Sequence, residues 1–284
     1  MIRHGSISPG VMARGKSPSK GAKMHKMRNI PGVYAFPEYY GITSPGCSGD
    51  CEFYEQVLSE SKRVLELGSG TGRTLLSISS DVREVVGVDN SPEMLAYLQG
   101  KIDIAKYKER ISLVESDIRQ LTFTSEFDAV SMPYRTFLHL YSPDEQMECL
   151  EGVFRALEPG GKFILNFFDP EYRFLADLGS VSGSFRRFRE GLLQSGNTLQ
   201  TWAESSCDPE KQLIDELWIY DEIDQSGDVV RRRYGSFKIR YCFRFEAESL
   251  FRRAGFEVES LYGGFSGEPY LHGKEQIWML RKPR

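Results

Sequence analysis

The sequence predicts an α/β fold: a mostly parallel sheet flanked by helices, interrupted late in the chain by an antiparallel β cap. Three observations carry this. A short apolar run, Val64-Leu-Glu-Leu67, breaks into three glycines spaced two apart, Gly68, Gly70 and Gly72. Strand-like and helix-like runs then alternate to residue 168, the rhythm of parallel strands joined by crossover helices. From residue 170 to residue 243 that rhythm gives way to β-like runs joined by turns.

In chain order, residues 32–54 are aromatic and irregular, with Tyr34, Phe36, Tyr39 and Tyr40 ahead of Asp50, which reads as the N-cap of a helix through residue 60. The tyrosine cluster is dense enough to form a lid over a ligand. Residues 63–67 are the first strand. The glycines after it form a tight turn into a helix N-terminus, a construction that brings bare backbone close to a ligand. Residues 83–89 form a second buried strand ending in Asp89, which lies 17 residues beyond Gly72. That is about where a carboxylate must sit to hydrogen-bond the ribose of a nucleotide held on the first loop. Ser91 caps the next helix, with Pro92 at its first position, and the helix is expected to reach residue 107.

Residues 111–115 and 127–131 are the third and fourth strands. Ser142 opens a helix that runs to residue 157, Glu158-Pro-Gly-Gly161 stops it, and residues 162–168 are the fifth strand. The cap region reads as a short helical stretch at 185–193 and β runs at 198–204, 213–223 and 229–243, the last two joined by Gln225-Ser-Gly-Asp228. A helix at 246–254 ends at Gly255, and residues 256–262 and 275–281 are the final strands. The expected organisation is a disordered basic tail (1–30), a core with an N-terminal lid (31–169), the cap (170–243) and the C-terminal part of the core sheet (244–284).

Composition bounds the function. The chain has 284 residues, 40% hydrophobic and 27% charged, and a net charge of −4. The charge is uneven: seven basic and no acidic residues precede Glu38, leaving 29 basic against 40 acidic residues, a net of −11, for the rest. An acid-poor opening without apolar periodicity is expected to be disordered, whether as a transit peptide, a nucleic-acid-binding arm or sequence upstream of the true start. An acidic body argues against nucleic acid as the main partner, because such binding draws on many phosphate contacts. No apolar run approaches the ~18 residues that cross a membrane. Of five cysteines only Cys47 and Cys51 are close together, and no second Cys/His pair lies nearby, so no metal site is expected and the reading is reduced thiols in a cytoplasmic protein.

Glu66-Leu-Gly-Ser-Gly-Thr-Gly72, Gly87-Val-Asp-Asn-Ser-Pro-Glu-Met-Leu95, Glu115-Ser-Asp117 and Leu157-Glu-Pro-Gly-Gly-Lys162, in that order, are similar to the motifs of class I S-adenosylmethionine-dependent methyltransferases. The resemblance covers roughly residues 50–168 and the last forty. It implies a Rossmann-like seven-stranded, mostly parallel sheet with a C-terminal antiparallel strand. It also implies S-adenosyl-L-methionine as cofactor, held by Glu66, Gly68, Ser69, Gly70, Gly72 and Arg73. Asp89 would take the ribose hydroxyls, Asn90 and Met94 would flank the adenine, and Asp117 would accept from its amino group beside the backbone N–H of Ile118. Met132 completes the implied set, with Tyr40 as lid.

The segment Met132-Pro-Tyr-Arg-Thr-Phe-Leu-His-Leu140 and the C-terminal run from Arg240 to Phe265 resemble small-molecule methyltransferases with a β cap, including amino-sugar N-methyltransferases. There the corresponding His lies near the acceptor amine, which points to His139. A tyrosine of their N-terminal segment covers the cofactor, which makes Tyr34, Tyr39 or Tyr40 the counterpart. The long cap does not align clearly with theirs, so a sugar substrate is not implied.

The expectation is methyl transfer to a nitrogen or oxygen of a small-molecule acceptor by in-line displacement. His139 and Tyr134 are the candidate catalytic residues, and Tyr34, Arg135 and Arg240 the candidate substrate-binding residues. Arg135 and Arg240 would hold an acidic substrate group or pair with cap carboxylates such as Glu216 or Glu222. Cap edges could pair two subunits. The alternative is a nucleic-acid or protein methyltransferase docking through the basic tail, since Met132-Pro-Tyr134 sits where adenine N6-methyltransferases carry Asn/Asp-Pro-Pro-Tyr.

Overall fold

The computed structural model describes residues 30–106, 108–180 and 184–284. The expected basic tail lies, but for Ile30, outside them. Eleven strands form two sheets among the described residues. The larger contains β1 (Arg63–Leu67), β2 (Glu84–Asp89), β3 (Ile111–Glu115), β4 (Phe127–Met132), β5 (Leu157–Phe168), β10 (Glu257–Tyr262) and β11 (Glu275–Arg281) in the order β10-β11-β5-β4-β1-β2-β3. β11 runs antiparallel to β5 and to β10, and the other pairs are parallel. This is the expected seven-stranded sheet. The order reverses at β1, so the carboxyl ends of β1 and β4 open a crevice where ligands bind in such sheets.

The central strands are mostly apolar because both faces are covered, with Glu66 of β1 as a buried exception. Val64, Leu65, Leu67, Val85, Val88, Ala129 and Val130 are fully buried. The helices are α2 (Asp50–Leu58), α3 (Arg73–Ile78), α4 (Pro92–Ile102), α5 (Pro143–Ala156) and α7 (Arg244–Arg253). Ser91 and Ser142 accept the N–H groups of Met94 and Glu145, capping α4 and α5 as expected. Asp50 is not a cap: Gly49 occupies that position and Asp50 is the first helical residue. Its carboxylate instead accepts from the Cys47 N–H and from Arg73.

The second sheet is antiparallel, with order β6 (Arg186–Leu192), β7 (Thr198–Asp208), β8 (Leu213–Ile223) and β9 (Val229–Arg240). The helical stretch expected at 185–193 is therefore strand β6. Its arginine-rich sequence tolerates a helix, but pairing with β7 supplies its hydrogen bonds, and Gly191 lets it close onto Ile42. The helix of this region lies earlier, α6 (Tyr172–Ser180).

The lid segment is built onto the smaller sheet. Ser236 donates to the Pro31 carbonyl at 3.0 Å, a 3-10 turn covers Val33–Ala35, and α1 (Pro37–Thr43) follows. Val33, Tyr39, Leu199, Ala203, Trp218 and Tyr220 form their own apolar cluster. The Arg231-Arg-Arg233 run is exposed on edge strand β9, with Arg231 paired to Glu222 and Arg232 to Asp221 across the ladder. Among the described residues no helix is long and apolar enough to cross a membrane.

Candidate active site

Two cavities meet above the carboxyl ends of β1 and β4. The first, about 350 Å³, is lined by Gly68, Gly70, Asp89, Asn90, Asp117, Ile118, Arg119 and Glu145. The second, about 600 Å³, lies between the sheets and is walled by Phe168, Phe174, Phe188, Trp218, Phe237 and Ile239. Tyr34, Tyr40, Tyr134 and His139 line both. A recess of about 60 Å³ beneath the glycine loop adjoins them, lined by Glu66, Ser69 and Arg73.

The glycines divide their work. Gly68, Gly70 and Gly72 have φ of 70°, 51° and 79°, all in the left-handed region. A Cβ on Gly68 would collide with Thr136 and one on Gly72 with Leu98. A Cβ on Gly70 would meet nothing nearer than the Gly68 carbonyl at 3.9 Å, so Gly70 is the glycine that faces open cleft. Asp89 organises this loop, accepting from Gly70 N–H at 2.8 Å and Ser91 N–H at 2.9 Å on separate oxygens. Burial raises its pKa against the pull of those N–H groups. The carboxylate keeps accepting capacity for a diol.

Glu66 is almost wholly buried, and its Oε2 has no partner. Burial pushes its carboxyl up to about 8, while Arg73 and the Leu75 N–H pull it down. Ser69 Oγ in the same recess is likewise unpartnered. Arg73 donates to Asp50 at 2.5 Å and to Cys51 Sγ at 3.0 Å, and lies over the Tyr134 ring. Asp117 stands in the cleft with Ile118, but Arg119 clasps its carboxylate through Nε and Nη2 and also reaches Glu145 at 2.7 Å. Those Arg119 hydrogen bonds lower its pKa. Three expected cofactor contacts are absent from the cleft wall. Met94 and Met132 are fully buried in the packing beneath it, and Gly72 is turned to α4.

His139 ends a 3-10 turn after β4 and is held on both nitrogens. Its Nδ1 lies 3.1 Å from the Lys238 carbonyl and its Nε2 2.7 Å from Tyr34 Oη. A carbonyl only accepts, so Nδ1 carries the proton and Nε2 accepts from the Tyr34 hydroxyl. Burial lowers the His139 pKa to about 4 and raises those of Tyr34, Tyr40 and Tyr134. Of the three lid tyrosines, Tyr34 and Tyr40 face the cavities. Tyr39 packs on Phe36 and Tyr220 and donates to Glu222.

Tyr134 and Arg135 both take left-handed backbone, with φ of 48° and 71°. Asn166, buried on β5, holds them there. Its Oδ1 accepts from Tyr134 N–H and Tyr54 Oη, each at 2.9 Å, and its carbonyl accepts from Arg135 N–H at 3.0 Å. The turn aims Arg135 between the Tyr134 and Phe168 rings, 3.6 Å from Glu275, so its ion pair is with Glu275 and not with Glu216 or Glu222. Arg240 is a correction: it is buried and bonded to Gln146, Gln212 and Glu246 of α7, and it does not line either cavity. Its charge holds the cap to the core. Arg119, Thr136, Glu145 and Asn166 escaped the sequence reading. Only Asn166 left a trace, as a polar residue inside an apolar strand.

Among the described residues no three His, Cys, Asp or Glu side chains gather as a metal site. The donors that do converge fit a nucleoside: a loop open at Gly70, a diol-facing carboxylate, and orphaned polar atoms at Glu66 and Ser69. Residues 64–161 match a methyltransferase domain family. The chain is 32% identical over 239 residues to the putative methyltransferase YqeM of Bacillus subtilis, covering 82% of this chain and 89% of that one. It is 28% identical over 224 residues to the cypemycin N-terminal methyltransferase of a Streptomyces species, covering 78% and 84%. The fold is shared with the sugar N-methyltransferase KedS8 from a Streptoalloteichus species, at a TM-score of 0.66 and 18% identity over 97% of this chain and all of that one.

Proposed function

Because the chain belongs to the S-adenosylmethionine-dependent methyltransferases, with S-adenosylmethionine as its cofactor, we propose that it methylates a nitrogen of a small-molecule acceptor held in the larger cavity. One observation carries this reading: the glycine-loop cavity and the aromatic cavity share Tyr34, Tyr40, Tyr134 and His139. When bound, the cofactor supplies an electrophilic methyl group on cationic sulfur, open to in-line displacement. Asp89, the Gly68–Gly70 backbone and the Ile118 N–H would hold it, with Glu66 and Ser69 below the loop. The aromatic walls would shield the reacting atoms from water and align the acceptor.

Nitrogen is favoured over oxygen by what the junction does not offer. His139 is neutral, its Nδ1 proton is tied to Lys238, and its free lone pair already accepts from Tyr34. Three phenols with raised pKa values complete the ring. An alcohol acceptor needs a base there, whereas a neutral amine carries its own lone pair. Tyr34 and His139 then orient the acceptor, and Tyr134 forms the wall beneath it. The name of the Streptomyces relative, an N-terminal methyltransferase, supports the same atom.

The test is incubation of the protein with methyl-labelled S-adenosylmethionine and a metabolite extract, followed by identification of the labelled product. A small N-methylated compound is expected. Label found only on oxygen, or only on nucleic acid or protein, would overturn the reading.

A further inference from the structure

The aromatic cavity contains an acid that neither the fold nor the cofactor requires. Alternate residues of β8 face inward: Ile214, Glu216, Trp218, Tyr220 and Glu222, an apolar stripe with two acids, of which Glu222 is paired with Arg231 and Glu216 lines the cavity. The informative residue on such a face is the polar one. Glu216 Oε1 accepts from Ser205 Oγ at 2.7 Å and Oε2 from Trp218 Nε1 at 3.0 Å, both neutral donors. Among the described residues no Lys, Arg or His nitrogen lies within 4.0 Å of its carboxylate. Arg186, at the cavity rim, stops at Ser205 Oγ, 3.2 Å away, and Arg135 is turned to Glu275.

The surroundings are those that receive a cation. Phe237 stands directly opposite Glu216 on β9. Trp218 packs edge-on against Phe237 with centroids 5.1 Å apart, and Phe188 lies 5.0 Å from Trp218 on the other side. Aromatic faces around a carboxylate attract an ammonium group through both the ring quadrupole and the charge. Arg186 and Arg135 act on the Glu216 carboxylate only from beyond ion-pair distance. Partly burying an acid with no cation in contact costs stability, and a ligand that brings a contacting cation recovers it.

We infer that Glu216, with Trp218, Phe237 and Phe188, is a subsite for a cationic ammonium group of the methyl acceptor. An ammonium bound to a carboxylate keeps its proton and has no lone pair to offer. The group at Glu216 is therefore a second basic centre, distinct from the neutral nitrogen at the Tyr34–His139 junction. The acceptor class is a small molecule with at least two basic nitrogens. This rests on the N-methylation reading above and adds the identity of the acceptor's far end.

The experiment is calorimetric titration of the full chain, saturated with S-adenosylhomocysteine, with choline and with the alcohol in which carbon replaces the choline nitrogen. The wild type is expected to bind the cation about tenfold more tightly than its uncharged isostere. Glu216→Gln keeps an acceptor for Trp218 Nε1 and lets its amide donate to Ser205 Oγ, and is expected to bring the two affinities within about twofold. Its affinity for S-adenosylmethionine should stay at the wild-type value. Equal affinities in the wild type, which need no variant to observe, would overturn the inference, as would a preference that survives in Glu216→Gln. Failure of the N-methylation reading would show differently, as label only on oxygen or on a macromolecule in the labelling experiment with the cation preference intact.

Discussion

At the scale of single residues, His139 and Glu66 show burial deciding protonation in opposite senses. His139 is held neutral, with its pKa lowered to about 4, so its charge does not change between pH 5 and pH 8. Methyl transfer should accordingly show no rate limb from this residue in that range, and its imidazole resonance should titrate only below pH 5. Tyr34→Phe removes the donor to Nε2, and a fall in kcat of about tenfold is expected from steady-state kinetics. Glu66 behaves in the reverse way. Its folded pKa is raised to about 8, so the native state keeps a proton that the unfolded chain has released. Stability is fully present below the ordinary carboxylate range and declines as pH rises towards 8. Glu66→Gln should flatten that decline, and its melting temperature should exceed that of the wild type at pH 8 and match it near pH 4.

At the scale of elements, two short connections carry the site, and each rests on left-handed backbone, at glycines after β1 and at Tyr134 and Arg135 after β4. In the turn after β1, Gly70 and Gly72 are both left-handed but face different things. Gly72→Ala drives a methyl into Leu98 of α4 and should lower stability by about 1–3 kcal/mol in denaturant titration. Gly70→Ala meets open cleft, so only the smaller cost of the left-handed backbone, about 1–2 kcal/mol, is expected. Calorimetry should show at least about tenfold weaker S-adenosylmethionine binding by Gly70→Ala, because the added carbon occupies the space the loop keeps open. The turn after β4 depends on Asn166. Asn166→Ala leaves the Tyr134 N–H and the Tyr54 hydroxyl without their buried acceptor. A loss of about 1–3 kcal/mol per orphaned group is expected, and turnover should fall with it as Tyr134 and Arg135 leave their left-handed positions.

At the scale of the whole molecule, the site exists because two sheets of different kinds enclose it. The larger sheet brings the glycine loop and Asp89 to one edge of the gap. The smaller brings Phe237, Trp218 and Glu216 to the other, and the lid segment carries Tyr34 and Tyr40 between them. His139 bonds both to the lid, through Tyr34, and to β9, through Lys238. A chain shortened to remove residues 1–29 should keep its turnover on a small acceptor, whereas one shortened through Ser44 should lose it with the lid. A macromolecular methyltransferase docking through its basic arm would lose activity in the first truncation. Rate assays on the two truncated proteins separate the readings.

The core was legible in the sequence because its signals are local. Strand burial, the glycine spacing, the Ser91 and Ser142 caps and the acid ending β2 each occupy a few adjacent residues whose chemistry acts on their own backbone. The cap was legible as β structure but not in detail. β6 is a strand only because β7 lies beside it, and Arg240 is a structural ion-pair partner only because α7 supplies Glu246. The same holds within the site. Glycine spacing alone does not say that Gly72 meets Leu98 while Gly70 meets open space. Nor does it say that Asn166 holds a turn 32 residues earlier, or that Tyr34 donates to His139, 105 residues away. Fold class and family could be read from the residues alone, and the glycine loop and Asp89 marked the candidate cofactor cleft, because those signals depend on short-range backbone geometry. Only chain closure settled which tyrosines line the cavities, which arginine serves packing, and where the cap leaves a carboxylate with no cation within ion-pair distance. Those are contacts between distant segments, and their energies exist only once the chain has closed on itself.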